Sequence, residues 1–312
     1  MNKIILTILF SATFFISGFT QGIKLSLQLP EGYRFTTETS VNLIVEQEFM
    51  GIRYNTQMEI ATVMHLQVNG IDSDTSYLLS ASYQKMDIRV SSILINMEVS
   101  TEWVNSQDSL SSVLRSILGK EFTMILSGKG EAIDIFNLDE MISQTVAESG
   151  LPEEQKIEFS RNLIQSVGED AVLDNYRNNS SFYPSSAIKV RDQWDSRMNF
   201  VKSGIPMELS NHIKVKELTR ESVILASEGR ISSQIANKSQ NLPSSPDQTF
   251  KLIGNEVSEK IIDIKTGLIL ESIVSQNVSG TIRSPSENAG EEEMVIPFKI
   301  ISRCTMLSGS SQ

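Results

Sequence analysis

The chain has 312 residues, of which 27 are basic and 38 are acidic, and its formal net charge is −11. Such a surface repels the phosphates of nucleic acids and the headgroups of anionic lipids, so no nucleic-acid partner is expected. The single cysteine, Cys304, excludes an internal disulfide and a cysteine-rich zinc site, so stability must come from a hydrophobic core. The length suffices for one large β domain or two smaller ones.

Residues 1–21 have the pattern of a secretory signal peptide. Lys3 supplies the positive start, the run from Ile4 to Ile16 is largely apolar, and small or polar residues follow up to Gly22. The apolar run is shorter than the ~20 residues that a membrane-spanning helix needs, and no later run is long enough. We therefore predict cleavage near residues 20–22 and no stable membrane span. The alternative is an apolar N-terminal strand.

The predicted location is the periplasm or the outside of the cell. A lipoprotein needs a cysteine directly after the apolar run, whereas Cys304 lies near the other end of the chain. The protein is therefore not expected to be a lipoprotein. Residues 22–307 are predicted to form a single β-rich domain, and residues 308–312 a polar tail.

The clearest structural pattern lies between Tyr54 and Val68, in the sequence YNTQMEIATVMHLQV. Apolar residues occupy most alternate positions, and polar residues such as Glu59 and His65 fill most of the others. This alternation predicts a β-strand with one buried face, and at ~3.4 Å per residue the strand is unusually long. The alternating residues 41–49 precede it, and Gly51 lies in the connecting turn, so the two segments are predicted to form a hairpin.

Further strands are predicted on both sides of a helical middle region. Short turns separate them, with a break at Gly128 and Gly130 and a hairpin turn at residues 265–267. Strands joined by short turns are typical of antiparallel sheets, because parallel strands need long crossover connections.

Two regions show the spacing of amphipathic helices. Apolar residues recur at helical spacing between Leu110 and Leu118. The second region spans residues 137–177, where Asn137 and Glu140 suggest a capping box at the start of a helix. Such helices bury their apolar side against a sheet. The predicted fold is mainly β (α+β): a large curved antiparallel sheet or open half-barrel with the helical insertion packed on its concave face.

The sequence contains no catalytic or metal-binding motif. The two histidines, His65 and His212, lie in strand patterns, and neither H-E-x-x-H nor G-x-S-x-G is present. Cys304 shares the parity of its apolar neighbours, so it is predicted to be a buried hydrophobe and not a nucleophile. We predict no catalytic residue, no metal and no cofactor, and hence a protein that is not an enzyme.

Three other functional classes stay open. One is an outer-membrane barrel, against which the long helical insertion, the few aromatic residues and the polar C-terminal residues count. An enzyme could use dispersed carboxylates, which for glycoside hydrolysis must lie roughly 5–9 Å apart in space. A scaffold or assembly protein of the cell envelope would show a large exposed apolar patch.

The predicted partner is a lipid-like or otherwise apolar ligand, or a segment of an envelope protein. A sheet closed by helices leaves an apolar concavity, where ligands most often bind. The predicted lining combines the apolar face of the long strand with the facing helices: Tyr54, Met58, Ile60, Met64, Leu66, Met141, Ile142, Phe159 and Leu163. The alternative, which the pattern favours, is that these side chains form a dry core.

The stretch FYPSSAIKVRDQW, residues 182–194, is rich in aromatic residues and is a candidate site. It directly follows the helical region, and Pro184 cannot continue a helix. Trp194 alternates with Asp192 at strand spacing. We therefore interpret the stretch as the joint at which the chain re-enters the sheet, with Phe182 and Trp194 as structural anchors.

The same stretch resembles a signature of uncharacterised exported proteins of Bacteroidota, a family of unknown function. The residues that carry the resemblance are Phe182, Pro184, Val190, Asp192 and Trp194. The G-x-G of residues 128–130 and the D-x-K-T-G turn of residues 263–267 are similar to that family too, whereas Arg191 stands where the family typically has glycine. The resemblance implies no activity. At the level of the fold, the predicted architecture looks like the lipoprotein-carrier half-barrel.

Overall fold

The computed structural model describes residues 22–49, 51–72, 76–93, 96–103, 108–180, 182–202, 205–233, 249–284 and 293–310. In these ranges twelve strands form one open antiparallel sheet. The strands are β1 (Arg34–Phe49), β2 (Ile52–Ile71), β3 (Tyr77–Ser91), β4 (Asn96–Ser100), β5 (Glu121–Leu126), β6 (Ala132–Phe136), β7 (Gln193–Lys202), β8 (Ile205–Leu218), β9 (Ser222–Ser233), β10 (Thr249–Asp263), β11 (Ile269–Ser284) and β12 (Met294–Ser310). The predicted fold class is confirmed.

The first and last strands meet in the middle of the sheet. The strand order is β6-β5-β3-β2-β1-β12-β11-β10-β9-β8-β7, and β4 pairs with β3 outside this path. In the central pair, Phe35 of β1 lies opposite Ser310 of β12, and Gln47 lies opposite Phe298. One arm of the sheet therefore comes from the first half of the chain, and the other arm comes from the second half. Because β12 runs to Ser310, it includes the first residues of the predicted polar tail.

The predicted β1–β2 hairpin is present and even longer than its sequence pattern suggests. β1 pairs with β2 along its whole length, from Arg34 opposite Gln67 to Phe49 opposite Ile52, and Gly51 in the turn has a φ of 75°, which favours glycine. Burial alternates along β2 as predicted, since Leu66 is fully buried and the neighbouring His65 is partly exposed.

The helices lie where the apolar spacing predicts them. They are α1 (Ser109–Arg115), α2 (Leu138–Ala147), α3 (Glu153–Val167) and α4 (Glu169–Ser180). Asp108 caps α1, because its carboxylate accepts hydrogen bonds from the backbone N–H groups of Leu110 and Ser111 at 3.1 and 3.0 Å. Within the described residues, no helix is both long and apolar enough to cross a membrane.

The predicted capping box at Asn137 is wrong. Asn137 has a φ of 69°, and its side chain makes no capping hydrogen bond. Instead Glu169, at the start of α4, accepts hydrogen bonds from the N–H groups of Leu138 at 3.1 Å and Asp139 at 3.4 Å. Asp139 in turn accepts a hydrogen bond from the Glu169 N–H at 2.9 Å. A side chain of another helix thus caps α2. The spacing of residues in the sequence cannot reveal such a contact.

Among the described residues, three clusters of buried apolar side chains lie on one face of the sheet, the inner face. The helix-covered cluster joins β1, β2, β3 and β5 to the helices and contains Leu66 and Phe159. The junction cluster contains Leu25 and Phe182 and joins the N-terminal segment to β8–β12. The strand cluster contains Ile300 and consists of residues of β1 and β7–β12 without a helix. In the described chain, α2 and α3 therefore pack on the arm formed by the first half.

Candidate functional site

Three loops and the N-terminal segment meet at one end of the sheet. We name this region the loop junction; it comprises residues 22–29, 127–131, 182–192 and 263–268. Backbone N–H groups of the N-terminal segment donate to the carbonyls of Gly128 and Thr266, both at 2.7 Å. The Tyr183 hydroxyl donates to the Gly267 carbonyl at 2.5 Å. The G-x-G, the D-x-K-T-G turn and the aromatic stretch are therefore parts of one structure.

The predicted landmark residues hold α4 and β7 to this junction. The rings of Phe182 and Tyr183 stack with centroids 4.8 Å apart, and the Trp194 indole N–H donates to the Phe182 carbonyl at 3.1 Å. Pro184 is buried, whereas Asp192 is exposed and accepts a backbone hydrogen bond within its own turn at 2.7 Å.

A band of buried polar side chains, the polar belt, crosses the inner face between the junction cluster and the strand cluster. Its first row is a chain of hydrogen bonds. Glu256 accepts from the amide groups of Asn211 at 3.2 Å and Gln276 at 2.7 Å, and Ser302 donates to Gln276 at 3.1 Å. The β9 position of this row is Gly229. A side chain does not fit there, because a Cβ atom would lie 2.0 Å from the Asn211 Oδ1 atom.

Two further rows complete the polar belt. Ser258 and Lys260 follow on the same face of β10. The hydroxyl oxygens of Ser258 and Ser227 lie 2.7 Å apart, and the Lys260 ammonium group donates to Ser272 at 3.1 Å. Buried polar groups cost free energy unless they are hydrogen-bonded, so the rows keep a polar band stable inside an apolar face.

Lys260 is a buried cation, only 5% exposed. Burial lowers its pKa from 10.5 to about 8, against the opposing effects of Glu256 and Cys304. Its Nζ atom lies 4.8 Å from the centroid of the Phe182 ring, where cation–π attraction favours the charged form. The inner face therefore carries a group that gains or loses its charge slightly above neutral pH.

Four buried polar atoms of the described residues have no hydrogen-bond partner. They are Thr37 Oγ1, Thr39 Oγ1, the Tyr176 hydroxyl and Asn211 Oδ1. Burial raises the pKa of Tyr176 to about 12. Unsatisfied buried polar atoms are rare, and they mark places where water or a ligand can bind.

The inner face of the β1–β2 hairpin continues beyond the helices as an apolar stripe that is only partly buried. We name it the open stripe; its members are Val41, Leu43, Val45, Tyr54, Met58 and Ile60. Val41 lies opposite Ile60, and Leu43 lies opposite Met58. Leu43 packs against the strand cluster and Ile60 against the helix-covered cluster. Among the residues that the structure describes, nothing covers the open stripe, which therefore bridges two packed cores.

The predicted ligand-lining residues fall into two groups. The first group belongs to the helix-covered cluster, as buried members or at its edge: Ile60, Met64, Leu66, Met141, Ile142, Phe159 and Leu163. The second group, Tyr54 and Met58, lies on the open stripe outside that cluster. Most of the predicted lining residues therefore lie together in packed core, whereas Tyr54 and Met58, at the end of the open stripe, stay accessible.

Sequence reasoning missed the polar belt. The inward positions of β10 run from Leu252 to Ile262 and include Glu256, Ser258 and Lys260. Polar residues thus interrupt an otherwise apolar parity pattern. That interruption is the signal that could have revealed the belt.

Among the described residues, His65, His212 and Cys304 do not belong to a catalytic arrangement of side chains. His212 lies on the outer face, with Nδ1 2.8 Å from Asp195 Oδ1 and Nε2 3.0 Å from Gln193 Oε1, so both ring nitrogens have partners. Cys304 lies on the inner face as predicted but is only partly buried, and its Sγ is 3.8 Å from Asn175 Oδ1. In the described ranges, no three His, Cys, Asp or Glu side chains are grouped so that they could hold a metal ion.

A family model described as "Family of unknown function (DUF6263)" matches residues 74–269. The matched region contains the aromatic stretch, the G-x-G and the D-x-K-T-G turn, so the predicted resemblance to a family of unknown function is confirmed. No curated protein matches the sequence.

Similarity to solved structures is weak. A structure described as "Lipid-protein interactions in lipovitellin" is 9% identical over 91% of this chain, with a TM-score of 0.47, and the chain spans only 26% of its length. OccK5 (OpdH) of Pseudomonas aeruginosa is 7% identical, with 90% of this chain and 99% of that chain covered at a TM-score of 0.26. OpdQ of the same organism is 4% identical, with 89% and 99% covered at a TM-score of 0.21. None of these similarities supports an argument about function.

Proposed function

The chain belongs to the DUF6263 family of unknown function, and we propose that it is a non-enzymatic, exported protein that binds an elongated apolar molecule along the open stripe. The observation that carries the proposal is the partial burial of the stripe between two packed clusters. Fully burying a Val, Leu or Met side chain is worth about 1.5–3 kcal/mol relative to exposure. A ligand that covers the stripe completes the burial of these side chains and is stabilised by the remaining part of this free energy.

The length of the stripe suits a hydrocarbon chain. Val41 and Val45 are four residues apart on β1, which corresponds to about 14 Å along the strand. Met58, opposite Leu43, is only partly buried and belongs to neither neighbouring cluster. Each CH₂ group of a ligand that is buried there contributes roughly 0.8 kcal/mol.

One end of the stripe is polar. Thr39 precedes Val41 on the inner face of β1, and its hydroxyl is one of the four buried polar atoms without a partner. Cys304 lies opposite Val41 on β12, next to Asn175 of α4. An apolar chain with a polar head fits this arrangement, so the proposed ligand class is a lipid-like amphiphile.

Export is part of the same proposal, with the periplasm or the extracellular space as the location. It rests on residues 1–21, whose pattern is that of a signal peptide and which lie outside the described residues. N-terminal sequencing of the protein recovered from the envelope or medium of its host tests it, and a start near residue 22 is the expected result. A cytoplasmic protein that retains residues 1–21 would refute export.

Titration of the purified mature chain with the fluorescent fatty acid cis-parinaric acid tests ligand binding. Met58→Glu places a charge on the stripe and is expected to weaken binding at least about tenfold. The control Gln57→Glu adds the same charge to the neighbouring exposed position on the outer face and is expected to leave the affinity unchanged. Equal affinities of the two variants contradict the proposal, as does native mass spectrometry that finds no apolar molecule in a chain that also fails to bind the probe.

An envelope scaffold or assembly protein is the second candidate function. Ile253 is 70% exposed and Val257 is 53% exposed, both on β10. Exposed apolar side chains are favourable where another protein covers them. If this function is correct, Ile253→Lys abolishes crosslinking of the protein to a neighbour in intact cells while binding of cis-parinaric acid is unchanged.

A further inference from the structure

The outer face of β7–β10 carries two rows of side chains that run across the strands. The members of the acidic row lie opposite one another on β7, β8 and β9 and are Asp195, His212 and Glu228. The basic row lies two positions away on each strand and consists of Arg197, Ser210 and Arg230. On β10, Val257 continues the first row and Asn255 the second.

A groove of about 550 Å³ lies between the two rows. The rows form its walls, and the backbone of the row between them, from Ser196 on β7 to Glu256 on β10, forms its floor. Positions two residues apart on a strand are separated by about 7 Å, and four strands span about 14 Å. The groove is therefore narrow enough for a small molecule to contact both walls.

The charges of the groove are separated by sign. On β7, Asp195 and Arg197 stand on opposite walls, and Glu228 and Arg230 do so on β9. Among the described residues, no ion pair joins Glu228 to Arg230, although they have opposite charges on the same face of one strand. Arg197 reaches Glu208, outside the groove, at 3.9 Å, and Asp195 pairs within its own row. An electric field therefore crosses the groove from the basic wall to the acidic wall.

We infer that this groove binds a zwitterion, a group whose ammonium and anionic oxygens are a few atoms apart. The anionic oxygens bind Arg197 and Arg230, since a guanidinium group holds carboxylate or phosphate oxygens bidentately at about 2.8 Å. The ammonium group binds Asp195 and Glu228 on the opposite wall. The inference is independent of the amphiphile site, because the groove and the open stripe lie on opposite faces of the sheet.

A ligand with a single charge fits the groove less well. An anion at the basic wall lies about 7 Å from the carboxylates of the other wall, which repel it, and a cation at the acidic wall meets the same difficulty with the guanidinium groups. Only a ligand with both charges is attracted by both walls. Because the wall residues are exposed, binding is modest and weakens with added salt.

Two sources supply this chemistry, the phosphoethanolamine headgroup of a lipid and a short peptide. We would titrate the ¹⁵N-labelled mature chain with O-phosphoethanolamine and with glycylglycine, and with inorganic phosphate and ethylammonium as single-charge comparisons. At least one zwitterion is expected to saturate the amide shifts of the groove with a Kd on the order of 1 mM, and the single ions to bind about tenfold more weakly. Binding of phosphoethanolamine alone identifies the headgroup as the source, and binding of glycylglycine identifies the peptide.

A charge exchange on β9 separates this recognition from general electrostatic attraction. The double variant Glu228→Arg, Arg230→Glu keeps the net charge but mixes the signs on each wall, and is expected to weaken zwitterion binding at least about tenfold. Arg303→Gln, which changes an exposed arginine of β12 elsewhere, is expected to leave binding unchanged. The inference is overturned if the exchanged variant binds like the native chain, if phosphate alone binds as tightly, or if neither zwitterion shifts the groove at about 10 mM. Unchanged amide shifts outside the groove confirm that the variants are folded.

Discussion

Asp139 and Glu169 cap each other's helices. The Asp139 carboxylate accepts the hydrogen bond of the Glu169 N–H at 2.9 Å, and the Glu169 carboxylate accepts that of the Leu138 N–H at 3.1 Å. Each carboxylate also lies at the positive end of the other helix dipole. The N-termini of α2 and α4 are thereby joined although 30 residues separate the two acids. This link fixes the relative placement of the helices that cover the first arm of the sheet.

Removing either acid is expected to destabilise the protein. Asp139→Ala and Glu169→Ala should each lower the free energy of unfolding by about 1 kcal/mol, because backbone N–H groups at a helix start lose their acceptor. Urea denaturation measures the effect. Asp170→Ala is the matched control, since this exposed acid lies in the first turn of α4 and should cost only a few tenths. Equal effects at Asp139 and Asp170 would contradict the reciprocal caps.

The backbone at Arg191 predicts a stabilising substitution. Arg191 has a φ of 73°, in the left-handed region, which favours glycine. The conformation costs a non-glycine residue about 1–2 kcal/mol, and the extra freedom of glycine in the unfolded chain offsets part of the gain. Arg191→Gly should therefore raise the unfolding free energy by up to about 1 kcal/mol, whereas Arg191→Ala keeps the strain and should not. A gain for alanine equal to that for glycine would show that the arginine side chain is responsible, and not the backbone.

Lys260 predicts a pH-dependent stability. Its pKa is 10.5 in the unfolded chain and about 8 in the folded protein. Between these values the unfolded chain binds a proton that the folded protein does not, so the stability of the native protein falls as the pH drops through this window. A shift of this size corresponds to at most about 3 kcal/mol.

Lys260→Met removes the titrating group. The variant should be more stable than the native protein at pH 7, and its advantage should shrink as the pH rises from 8 to 10.5. Urea midpoints measured across this range test the expectation, with Lys251→Met at an exposed position of β10 as the control for general charge effects. An advantage that does not change with pH would mean that lysine is unfavourable for reasons of packing alone.

Much of the fold could be predicted because side-chain periodicity reports burial directly. The alternation from Tyr54 to Val68 gave the long strand and its inner face, and the spacing after Leu138 gave the helix that packs on it. Periodicity identifies the face of an element but not the neighbour across from it. Asn137 shows the consequence: its spacing to Glu140 suggested a local cap, whereas the acceptor comes from α4.

The interrupted apolar pattern of β10 indicates buried polar side chains, but the row that they form with other strands could not be predicted from the sequence, for the same reason. Glu256 interrupts the apolar parity of β10, but its partners Asn211 and Gln276 lie 45 and 20 residues away. Only the strand order places these three side chains in one row. Half of the open stripe is predicted, because Tyr54, Met58 and Ile60 belong to the predicted lining. The sequence does not show how far the helices extend over the sheet, so it cannot separate these residues from packed ones such as Leu66.

Two glycines in hairpin turns provide the test of the loop junction. Gly51 and Gly267 have φ values of 75° and 71°, so alanine at either position adopts a strained backbone that costs about 1–2 kcal/mol. Their surroundings differ, because a Cβ atom at Gly51 meets nothing within 4 Å, whereas one at Gly267 lies 2.0 Å from the Ser26 carbonyl oxygen.

Gly267→Ala should therefore destabilise the protein more than Gly51→Ala does. The excess reports the displacement of residues 22–29, which cross the junction and donate to the carbonyls of Gly128 and Thr266. Amide hydrogen exchange at Leu27 and Gln28 should accelerate in Gly267→Ala and not in Gly51→Ala, because only the first variant separates their N–H groups from these acceptors. If both variants lose the same stability and exchange at Leu27 is unchanged, the N-terminal segment does not hold the loops together.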